Sequence, residues 1–338
     1  MAALSRTVLA FALVLFALPA AAQKTLDAVK KRGELVCGVT GTVPGFSFFN
    51  AVQEWEGLDV ELCRAVAAAT LGSSSKVKFV RLTPQRRFEA LAAGEVDMLA
   101  SNATFTLQRE AGLSLQIAVV NFYDGQAFVV PKSLGVKNLA ALSGSGICVT
   151  AGTTHEDNLA GWFRARRLDY VPIVLLSQEA MYEAFFASRC AAVTEDSASL
   201  ALAIVRRGVA GDYIMLPEII SKEPLGPYVR RGDEAWLDIV RWTQYAMVEA
   251  EELEVTSANV DEQLRSNDPA VQRLLGVRAG NGKALGLDEK WAFNIVSQVG
   301  NYGESYERNV GMNSPLKFAR GINALWNKGG LMYAPPMR

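Results

Sequence analysis

The hydrophobic pattern of the first third of the chain alternates between strand-like and helix-like segments. Three short apolar runs have the length and composition of buried strands, at Glu34–Val39, Lys76–Leu82 and Val96–Ser101. Two intervening segments repeat apolar residues at helical spacing, at Leu58–Leu71 and Gln85–Ala93. This strand–helix–strand–helix–strand order predicts parallel strands, because each helix carries the chain back to the same edge of the sheet.

A second unit of the same kind follows, although the two units share no sequence repeat that can be aligned. Four more strands are predicted, at Gly146–Ala151, Val171–Leu176, Ala191–Glu195 and Tyr213–Leu216. The helices between them are predicted at Thr154–Arg166, Glu179–Ser188 and Ser197–Arg207. Two α/β units in one chain predict two lobes.

Two segments connect these units. Ala118–Pro131, with apolar runs around Asp124-Gly125, is predicted to be the first crossing between the lobes, and Ser221–Arg231 the return. Further helices are predicted near Trp236–Glu251, Val260–Leu264 and Leu287–Glu307, in a C-terminal third that rejoins the first lobe. The predicted fold is α/β and two-lobed, and each lobe is a mainly parallel sheet flanked by helices. Lobe 1 is expected to comprise residues 23–126 and 226–338, and lobe 2 residues 127–225.

Residues 1–22 have the pattern of a secretory signal peptide. Arg6 precedes an uncharged apolar run, Val8–Leu18, and Pro19 is followed by three alanines of the kind found at cleavage sites. The alternative is a membrane anchor, but a run of about eleven residues is shorter than the roughly 20 that a spanning helix needs. We therefore expect export, and a mature chain that begins near Gln23.

Composition narrows the function classes. Half of the residues are hydrophobic (50%), which is enough for sizeable cores, and the formal net charge is −1. A nearly neutral chain without a basic–aromatic cluster is not expected to bind nucleic acid. The chain has one histidine and no CxxC pair, so we expect no bound metal, and no cofactor is indicated.

The four cysteines are disulfide candidates, because export permits their oxidation. They allow three connectivities, and the two-lobe layout favours Cys37–Cys63 within lobe 1 and Cys148–Cys190 within lobe 2. The alternative is that all four are free thiols buried as small core residues.

Polar residues follow the predicted strands where a ligand would bind. In open parallel sheets the crevice lies beyond the carboxyl ends of the strands, and two facing lobes would bring both sets of ends to one cleft. A zwitterionic amino acid needs an anion site and a cation site there. The candidates for its carboxylate are Arg109, Thr104, Thr106, Thr153 and Thr154. Asp196 is the candidate for its α-ammonium, so that the ligand would bridge the lobes.

Each candidate also has a purely structural interpretation. Arg109 could be a surface arginine on a short helix. Asp196 could cap the helix that begins after it, and Thr153-Thr154 could cap theirs. His155 is expected to be partly solvated and has no catalytic role assigned.

Several stretches spread over the mature chain carry a family resemblance. They are LVCG (Leu35–Gly38), PGFS (Pro44–Ser47), GLDVELCRAVAAA (Gly57–Ala69), RFEALAAGEVD (Arg87–Asp97), LGVK (Leu134–Lys137), ICVTAGTT (Ile147–Thr154), LPEIISKEPLGP (Leu216–Pro227), GNYG (Gly300–Gly303), SPL (Ser314–Leu316) and ALWNKGGLMYAPP (Ala324–Pro336). The chain resembles the polar amino-acid group of periplasmic solute-binding proteins. Within that group it is similar to the general L-amino-acid-binding and glutamate/glutamine/aspartate/asparagine-binding subgroup.

The resemblance implies a type II periplasmic-binding-protein fold and roles for individual residues. Arg109 would pair with the ligand carboxylate, and Asn102 and Thr104 would help to hold the ligand. Thr153 and Thr154 would contact the carboxylate, and Asp196, which ends the segment VTED, would bind the ammonium. Arg86 and Arg87 lie near a pocket position of distant relatives, where they could favour acidic ligands, but a solvated helix face is the favoured interpretation.

The function implied is that of the periplasmic substrate-binding component of an amino-acid ABC importer. The expected ligands are free L-amino acids, either a broad range or the acidic and amide ones. The expected partners are the membrane permease subunits. The protein is expected to be a monomer, and it is not expected to be an enzyme. One alternative is a periplasmic dehydratase acting on prephenate or arogenate with the same fold. Another is a protein that presents its ligand to a sensor.

Overall fold

The computed structural model describes residues 25–50 and 52–338, so the predicted signal peptide lies outside the described residues. The strands are β1 (Leu35–Val39), β2 (Thr42–Val43), β3 (Ser47–Phe49), β4 (Trp55–Glu56), β5 (Val77–Arg81), β6 (Met98–Leu99), β7 (Leu115–Ile117), β8 (Phe122–Asp124), β9 (Gln126–Pro131), β10 (Gly146–Thr150), β11 (Val171–Leu175), β12 (Ala192–Asp196), β13 (Tyr213–Met215), β14 (Glu223–Leu225) and β15 (Tyr228–Arg230).

Thirteen α-helices are present in the described part of the chain. They are α1 (Thr25–Arg32), α2 (Leu58–Leu71), α3 (Arg87–Ala92), α4 (Leu107–Gly112), α5 (Thr154–Arg166), α6 (Gln178–Phe186), α7 (Ser197–Arg207), α8 (Glu234–Glu252), α9 (Val260–Gln263), α10 (Pro269–Leu274), α11 (Asn281–Leu285), α12 (Trp291–Gln298) and α13 (Tyr302–Asn309). None of the helices in this part of the chain has the length and apolar character needed to cross a membrane.

The strands form one five-stranded sheet in each lobe. The first sheet has the order β5–β1–β6–β15–β7 and the second β11–β10–β12–β9–β13. In both, three neighbouring strands are parallel, as the alternating pattern predicts. One strand of each sheet, β15 or β9, runs antiparallel to both of its neighbours. The sheets are therefore mainly parallel, and the reversed strand is the one next to a crossing between the lobes.

The side chains of β9 show how the second sheet is buried on both faces. Ala127 and Val129 belong to the core on one side, and Phe128 and Val130 to the core on the other. Successive strand residues point to opposite faces, and residues 127–130 are all apolar because both faces of the sheet are covered. The first sheet is covered in part by α2 and α8, which share a core with β1.

A two-stranded antiparallel ribbon joins the lobes. β8 pairs with β14, so that Tyr123 lies opposite Pro224. The side-chain amide of Asn323 binds β8: it accepts from the Tyr123 N–H at 2.7 Å and donates to the Tyr123 carbonyl at 2.9 Å. The C-terminal segment therefore pairs with this ribbon of β8 and β14, called the hinge below, as a further strand would.

The structure contains the two disulfides favoured by the two-lobe layout. Cys37 of β1 is bonded to Cys63 of α2, with a Cα–Cα distance of 6.2 Å. Cys148 of β10 is bonded to Cys190, just before β12, with a Cα–Cα distance of 5.7 Å. Each bond joins elements within one lobe, and among the described residues no cysteine is free.

The prediction of one helix over Leu287–Glu307 is wrong. The segment forms two helices, α12 and α13, because Gly300 has a positive φ of 97° that ends the first helix. Asn301 then starts the second: its side chain accepts from the Glu304 N–H, and the Glu304 carboxylate accepts from the Asn301 N–H. The predicted strand Val96–Ser101 is also shorter than expected, since only Met98–Leu99 pairs as β6.

Candidate ligand-binding cleft

The carboxyl ends of the parallel strands of both sheets meet at one cleft, where the lobes touch directly. The Asn102 side chain, after β6, donates to the Asp196 carboxylate at the end of β12 at 3.3 Å. The hydroxyls of Thr104 and Thr154 lie 3.3 Å apart, also across the cleft. These contacts place the lobes in a closed arrangement.

Further contacts close one rim of the cleft. The Gln85 amide of lobe 1 donates to the carbonyls of Ala151 and Leu176 in lobe 2, at 2.8 and 3.3 Å. Arg81, also in lobe 1, makes an ion pair of 2.7 Å with Glu179 at the start of α6. Both side chains of this pair are more than half exposed (51% and 57%), so water screens the pair and it contributes little by itself.

Two cavities share this cleft. The inner one, about 20 Å³, is lined by residues of both lobes, which include Arg87, Asn102, Thr104, His155, Glu195 and Asp196. The outer one, about 800 Å³, is lined by residues that include Phe88, Thr106, Arg109, Asp157 and Asn158. Thr153 and Thr154 line both, so the two cavities adjoin at the start of α5.

Asp196 is paired with His155, and it does not cap a helix. The His155 Nε2 lies 2.8 Å from the Asp196 carboxylate, and both residues are buried (6% and 1% exposed). Burial favours a neutral imidazole, but the charge of Asp196 and its hydrogen bond outweigh burial and raise the pKa of His155 to about 8. The expectation of a partly solvated histidine is therefore wrong, since Asp196 orients it in the cleft.

The helix-cap interpretation of Asp196 is also wrong. Its side chain makes no capping bond to α7. Asp124 of the hinge takes that role, with its carboxylate accepting from the Ala198 N–H at 3.1 Å and from the Ser197 hydroxyl at 2.5 Å. Burial and the nearby charge of Asp196 raise the pKa of Asp124 to about 7. Asp196 is thereby left with its carboxylate directed to the cleft.

The N-terminus of α5 also lacks a side-chain cap. The Thr153 hydroxyl donates backwards to the Thr150 carbonyl at 2.7 Å, so it accepts no bond from the helix. Backbone N–H groups at the start of this thirteen-residue helix are thus available to an anion, and the helix dipole favours negative charge there. The predicted cap interpretation of the threonine pair is wrong for Thr153.

Arg109 lies at the outer cavity and packs on Phe88. Its guanidinium carbon is 5.0 Å from the Phe88 ring centroid, and its Nη1 donates to the Thr104 carbonyl at 2.9 Å. Burial lowers its pKa. Arg109 makes no ion pair among the described residues, so its charge remains available.

The interpretation of Arg87 as part of a solvated helix face is wrong. Arg87 is 5% exposed, lines the inner cavity and lies 5.0 Å from the same Phe88 ring. Its Nη1 donates to the Ser101 carbonyl at 3.0 Å, and its buried Nε has no partner. Burial, with the nearby charge of Arg109, lowers its pKa to about 9, so it is still cationic at neutral pH. Arg86 is the solvated one and pairs with Glu95 at 2.8 Å.

The backbone of Asn102 is fixed by a hydrogen bond to Asp59. Its φ is 39°, in the left-handed region that asparagine tolerates better than most residues. Its N–H donates to the Asp59 carboxylate at 2.7 Å, and burial raises the pKa of that carboxyl to about 6. The backbone turn directs the Asn102 amide across the cleft to Asp196.

A further acid, Glu195, lies at the end of the inner cavity. Its carboxyl accepts hydrogen bonds from the Gln178 amide and the Tyr182 hydroxyl. Burial raises its pKa to about 8, so the group is mostly protonated at neutral pH. Glu195 therefore offers a neutral polar surface to this cavity.

Glu223 of the hinge strand β14 also reaches this cleft, and sequence reasoning missed it. It is 1% exposed and accepts from the hydroxyls of Thr104 and Thr154 at 2.5 and 3.1 Å. The pattern around it, a short polar segment with two prolines, indicated only a crossing between lobes. No local signal distinguishes an acid that points into a cleft from one that is solvated.

The structure thus brings most predicted site residues together. Asn102, Thr104, Thr153, Thr154 and Asp196 all line the inner cavity, and Thr106 and Arg109 line the outer one. Arg109 and Asp196 line adjoining cavities of the cleft, and Arg87, the first residue of α3, lines the same cavity as Asp196.

Residues 35–259 match the profile of the bacterial extracellular solute-binding proteins, family 3. The chain belongs to this family. The chain is 47% identical over 321 residues to the general L-amino acid-binding periplasmic protein AapJ of Rhizobium johnstonii, and the match covers 94% of each chain. It is also 48% identical over 320 residues to the glutamate/glutamine/aspartate/asparagine-binding protein BztA of Rhodobacter capsulatus, covering 94% of this chain and 95% of that one.

A solved structure supports the same assignment. It is an ABC transporter periplasmic binding protein from Brucella ovis with glutathione bound. This family 3 protein superposes on it with a TM-score of 0.90 at 48% identity, over 93% of this chain and 99% of that one. The two-lobed fold predicted from the sequence is therefore confirmed.

Proposed function

We propose that this family 3 protein is the periplasmic substrate-binding component of an amino-acid ABC importer. One observation carries the proposal: the cleft offers a cationic half and an anionic half that match the two charges of an amino acid. The two guanidinium groups and the start of α5 form the cationic half, and Asp196 dominates the anionic half. The names of relatives such as AapJ and BztA support the same ligand class.

The ligand carboxylate would bind at the start of α5. Thr153 and Thr154 present uncapped N–H groups there, and these two residues line both cavities. Arg87 would approach from the inner cavity and Arg109 from the outer one. A guanidinium can donate two parallel hydrogen bonds to a carboxylate, which favours this pairing over a single lysine.

The α-ammonium would bind at Asp196. This carboxylate is held by His155 and faces Asn102 of the other lobe across 3.3 Å. An ammonium between Asp196 and Asn102 would replace their direct hydrogen bond with a charge-assisted bond to Asp196. Pairing must be nearly complete, because a charge buried without a partner costs several kcal/mol.

Closure of the lobes would be the step that captures the ligand. The inner cavity, about 20 Å³, has room for about one water molecule, so an amino acid enters only when the lobes part. We propose that they move about the ribbon of β8 and β14, as two bodies formed by residues 23–126 with 226–338 and by residues 127–225. Ligand contacts made by both lobes would then favour the closed state.

The side-chain pocket suggests which amino acids bind. Glu195 and Gln178 line the inner cavity as neutral hydrogen-bonding groups, and Arg87 lies in the same cavity. These groups suit acidic and amide side chains as well as small polar ones. We propose a ligand range of this kind, delivery to membrane permease subunits by an exported monomer, and no catalytic turnover.

A thermal-shift screen of the purified mature chain against the twenty amino acids tests this proposal. A ligand at 100 times its Kd raises the free energy of unfolding by about 2.7 kcal/mol, which is readily seen as a higher Tm. We expect glutamate, glutamine, aspartate or asparagine among the strongest shifts. The Asp196→Asn variant should lose these thermal shifts. Turnover of prephenate or arogenate by the wild type, abolished in Asp196→Asn, would contradict the proposal.

The outer cavity favours a second candidate ligand, glutathione. This tripeptide begins with a γ-linked glutamyl group that keeps a free α-amino and α-carboxyl group. The inner cavity would hold that head group, and the adjoining outer cavity of about 800 Å³ has room for the rest. The glutathione-bound Brucella ovis structure supports the idea. Including reduced glutathione in the screen decides between free amino acids and glutathione. If glutathione gives a larger thermal shift than any amino acid, glutathione is the preferred ligand.

A further inference from the structure

We propose that Glu223 is a second acceptor for the ligand's α-ammonium and that its hydrogen bonds link the hinge to the binding cleft. The inference rests on the proposed function, because it concerns the ammonium of a bound amino acid or γ-glutamyl peptide. It assigns a ligand-recognition role to a residue of the hinge, outside the loops that follow the parallel strands.

The hydrogen bonds of Glu223 connect three parts of the molecule. Its Oε2 accepts from the Thr104 hydroxyl of lobe 1 at 2.5 Å and from the Thr154 hydroxyl of lobe 2 at 3.1 Å. Its Oε1 accepts from the Asn158 amide of α5 at 2.8 Å and from the Ser221 hydroxyl of the return crossing at 2.5 Å. A change in the distance between the lobes must therefore break or re-form bonds to this carboxylate.

The backbone of Glu223 belongs to the element about which the lobes would move. It begins β14 and lies opposite Asp124, the last residue of β8. The position therefore combines a hinge backbone with a side chain that is hydrogen-bonded to cleft residues of both lobes.

Glu223 forms no direct salt bridge among the described residues, although a ring nitrogen of His155 lies within 4.8 Å of its carboxylate. The residue is 1% exposed. A buried carboxylate is costly without a compensating charge. Four hydroxyl and amide donors offset part of that cost, and a cation beside it would offset more.

Glu223 belongs to a cluster of three polar side chains at the cleft. One oxygen of Glu223, one of Asp196 and one ring nitrogen of His155 all lie within 4.8 Å of one another. An α-ammonium has three N–H donors, so a single acceptor cannot satisfy it. Asp196 and Glu223 together would accept two of the three. Four donors already occupy the two oxygens of Glu223, so the ammonium would displace the Thr154 hydroxyl from Oε2, and this bond would form only when the hinge holds β14 in its closed position.

The test compares two ligands that differ only in the amino group, L-glutamine and 4-carbamoylbutanoate. If the screen favours another amino acid, that acid and its deaminated counterpart take their place. Affinities are measured by calorimetry, with ligand-observed NMR for millimolar binders, on the wild type and on E223Q. The matched control is E262Q, which removes an exposed acid of α9 outside the cleft.

We expect E223Q to weaken the binding of L-glutamine by roughly 10- to 100-fold, because a hydrogen bond to a charged group is lost. The binding of 4-carbamoylbutanoate should weaken by less than about threefold. E262Q should change neither. Equal losses for both ligands, or no loss for either, would overturn the role of Glu223, whereas failure of the wild type to bind any amino acid or glutathione would overturn the proposed function instead.

Two arms keep the result interpretable. If E223Q does not fold, E223D keeps the buried charge on a shorter side chain, and it should lose selectivity for the amino group while retaining part of the affinity. All titrations are repeated after dialysis against EDTA and with added Zn²⁺. Binding of L-glutamine that requires the metal would show that a metal ion occupies the position, and would overturn the proposal.

Discussion

The Nε2 of His155 lies 2.8 Å from a carboxylate oxygen of Asp196, and both side chains are buried in the cleft between the lobes. Because Asp196 raises the pKa of this histidine to about 8 from its ordinary 6.5, the protonated pair stabilises the folded protein. The contribution is complete below about pH 6.5 and is lost as the pH rises through 8.

The pH dependence of stability therefore depends on His155. Relative to H155Q, the wild type should lose about 2 kcal/mol of unfolding free energy between pH 6 and 9, from a pKa difference of about 1.5. Urea denaturation at each pH measures the difference between the two proteins, in which the contributions of titrating groups that do not interact with His155 cancel. Parallel curves for the two proteins would mean that the imidazole is not charged by Asp196.

The adjacent arginines at the start of α3, Arg86 and Arg87, form a matched pair for testing the cationic half of the site. R87Q should weaken amino-acid binding by about 100-fold or more, because it leaves the ligand carboxylate without one of its buried charged partners. R86Q, which removes only an exposed ion pair with Glu95, should leave affinity unchanged. Calorimetry of both variants makes the comparison, and equal effects would place the anion site elsewhere.

Gln85, at the rim of the cleft, is expected to bias the lobes toward closure through its bonds to the other lobe. Its amide makes two bonds to backbone carbonyls of the other lobe. Q85A should increase the radius of gyration of the ligand-free protein in solution scattering and weaken binding by about two- to fivefold, within the range of one neutral hydrogen bond. K78A, an exposed change on β5, is the control, and an unchanged scattering profile for Q85A would argue against this contact as a latch.

The C-terminal segment should stabilise the hinge through Asn323. N323A would leave the N–H and carbonyl of Tyr123 without their side-chain partner, at a cost of about 1–3 kcal/mol. N327A changes an exposed asparagine four residues later and should be neutral. Urea unfolding of the two variants measures the difference. Equal stability would show that the ribbon of β8 and β14 needs no support from residues beyond 259, where the family profile ends.

The sequence predicted the strand–helix alternation, both disulfides and five of the twelve residues that line the inner cavity. Helices α2, α5 and α7 begin and end where the spacing of apolar residues predicts. These features depend on neighbours along the chain, or on the rule that parallel strands end at one edge of a sheet.

The features that were missed depend on contacts distant in sequence. Arg86 and Arg87 are neighbours at the start of α3, and contacts beyond the helix, such as the bond from Arg87 to the Ser101 carbonyl, distinguish the buried arginine from the solvated one. Asp196 precedes α7 directly, yet the helix is capped by Asp124, 74 residues before the Ala198 N–H that it accepts from. Glu223 could not be recognised because its four donors come from three separate parts of the chain.

The most direct test of the central claim is a crystal structure of the mature protein grown with L-glutamine or reduced glutathione, whichever gives the larger thermal shift. We expect density for the α-ammonium between Asp196 and Glu223, and for the α-carboxylate at Thr153 and Thr154 with Arg87 or Arg109 against it. A ligand bound outside the cleft, or one whose ammonium contacts neither acid, would contradict the central claim.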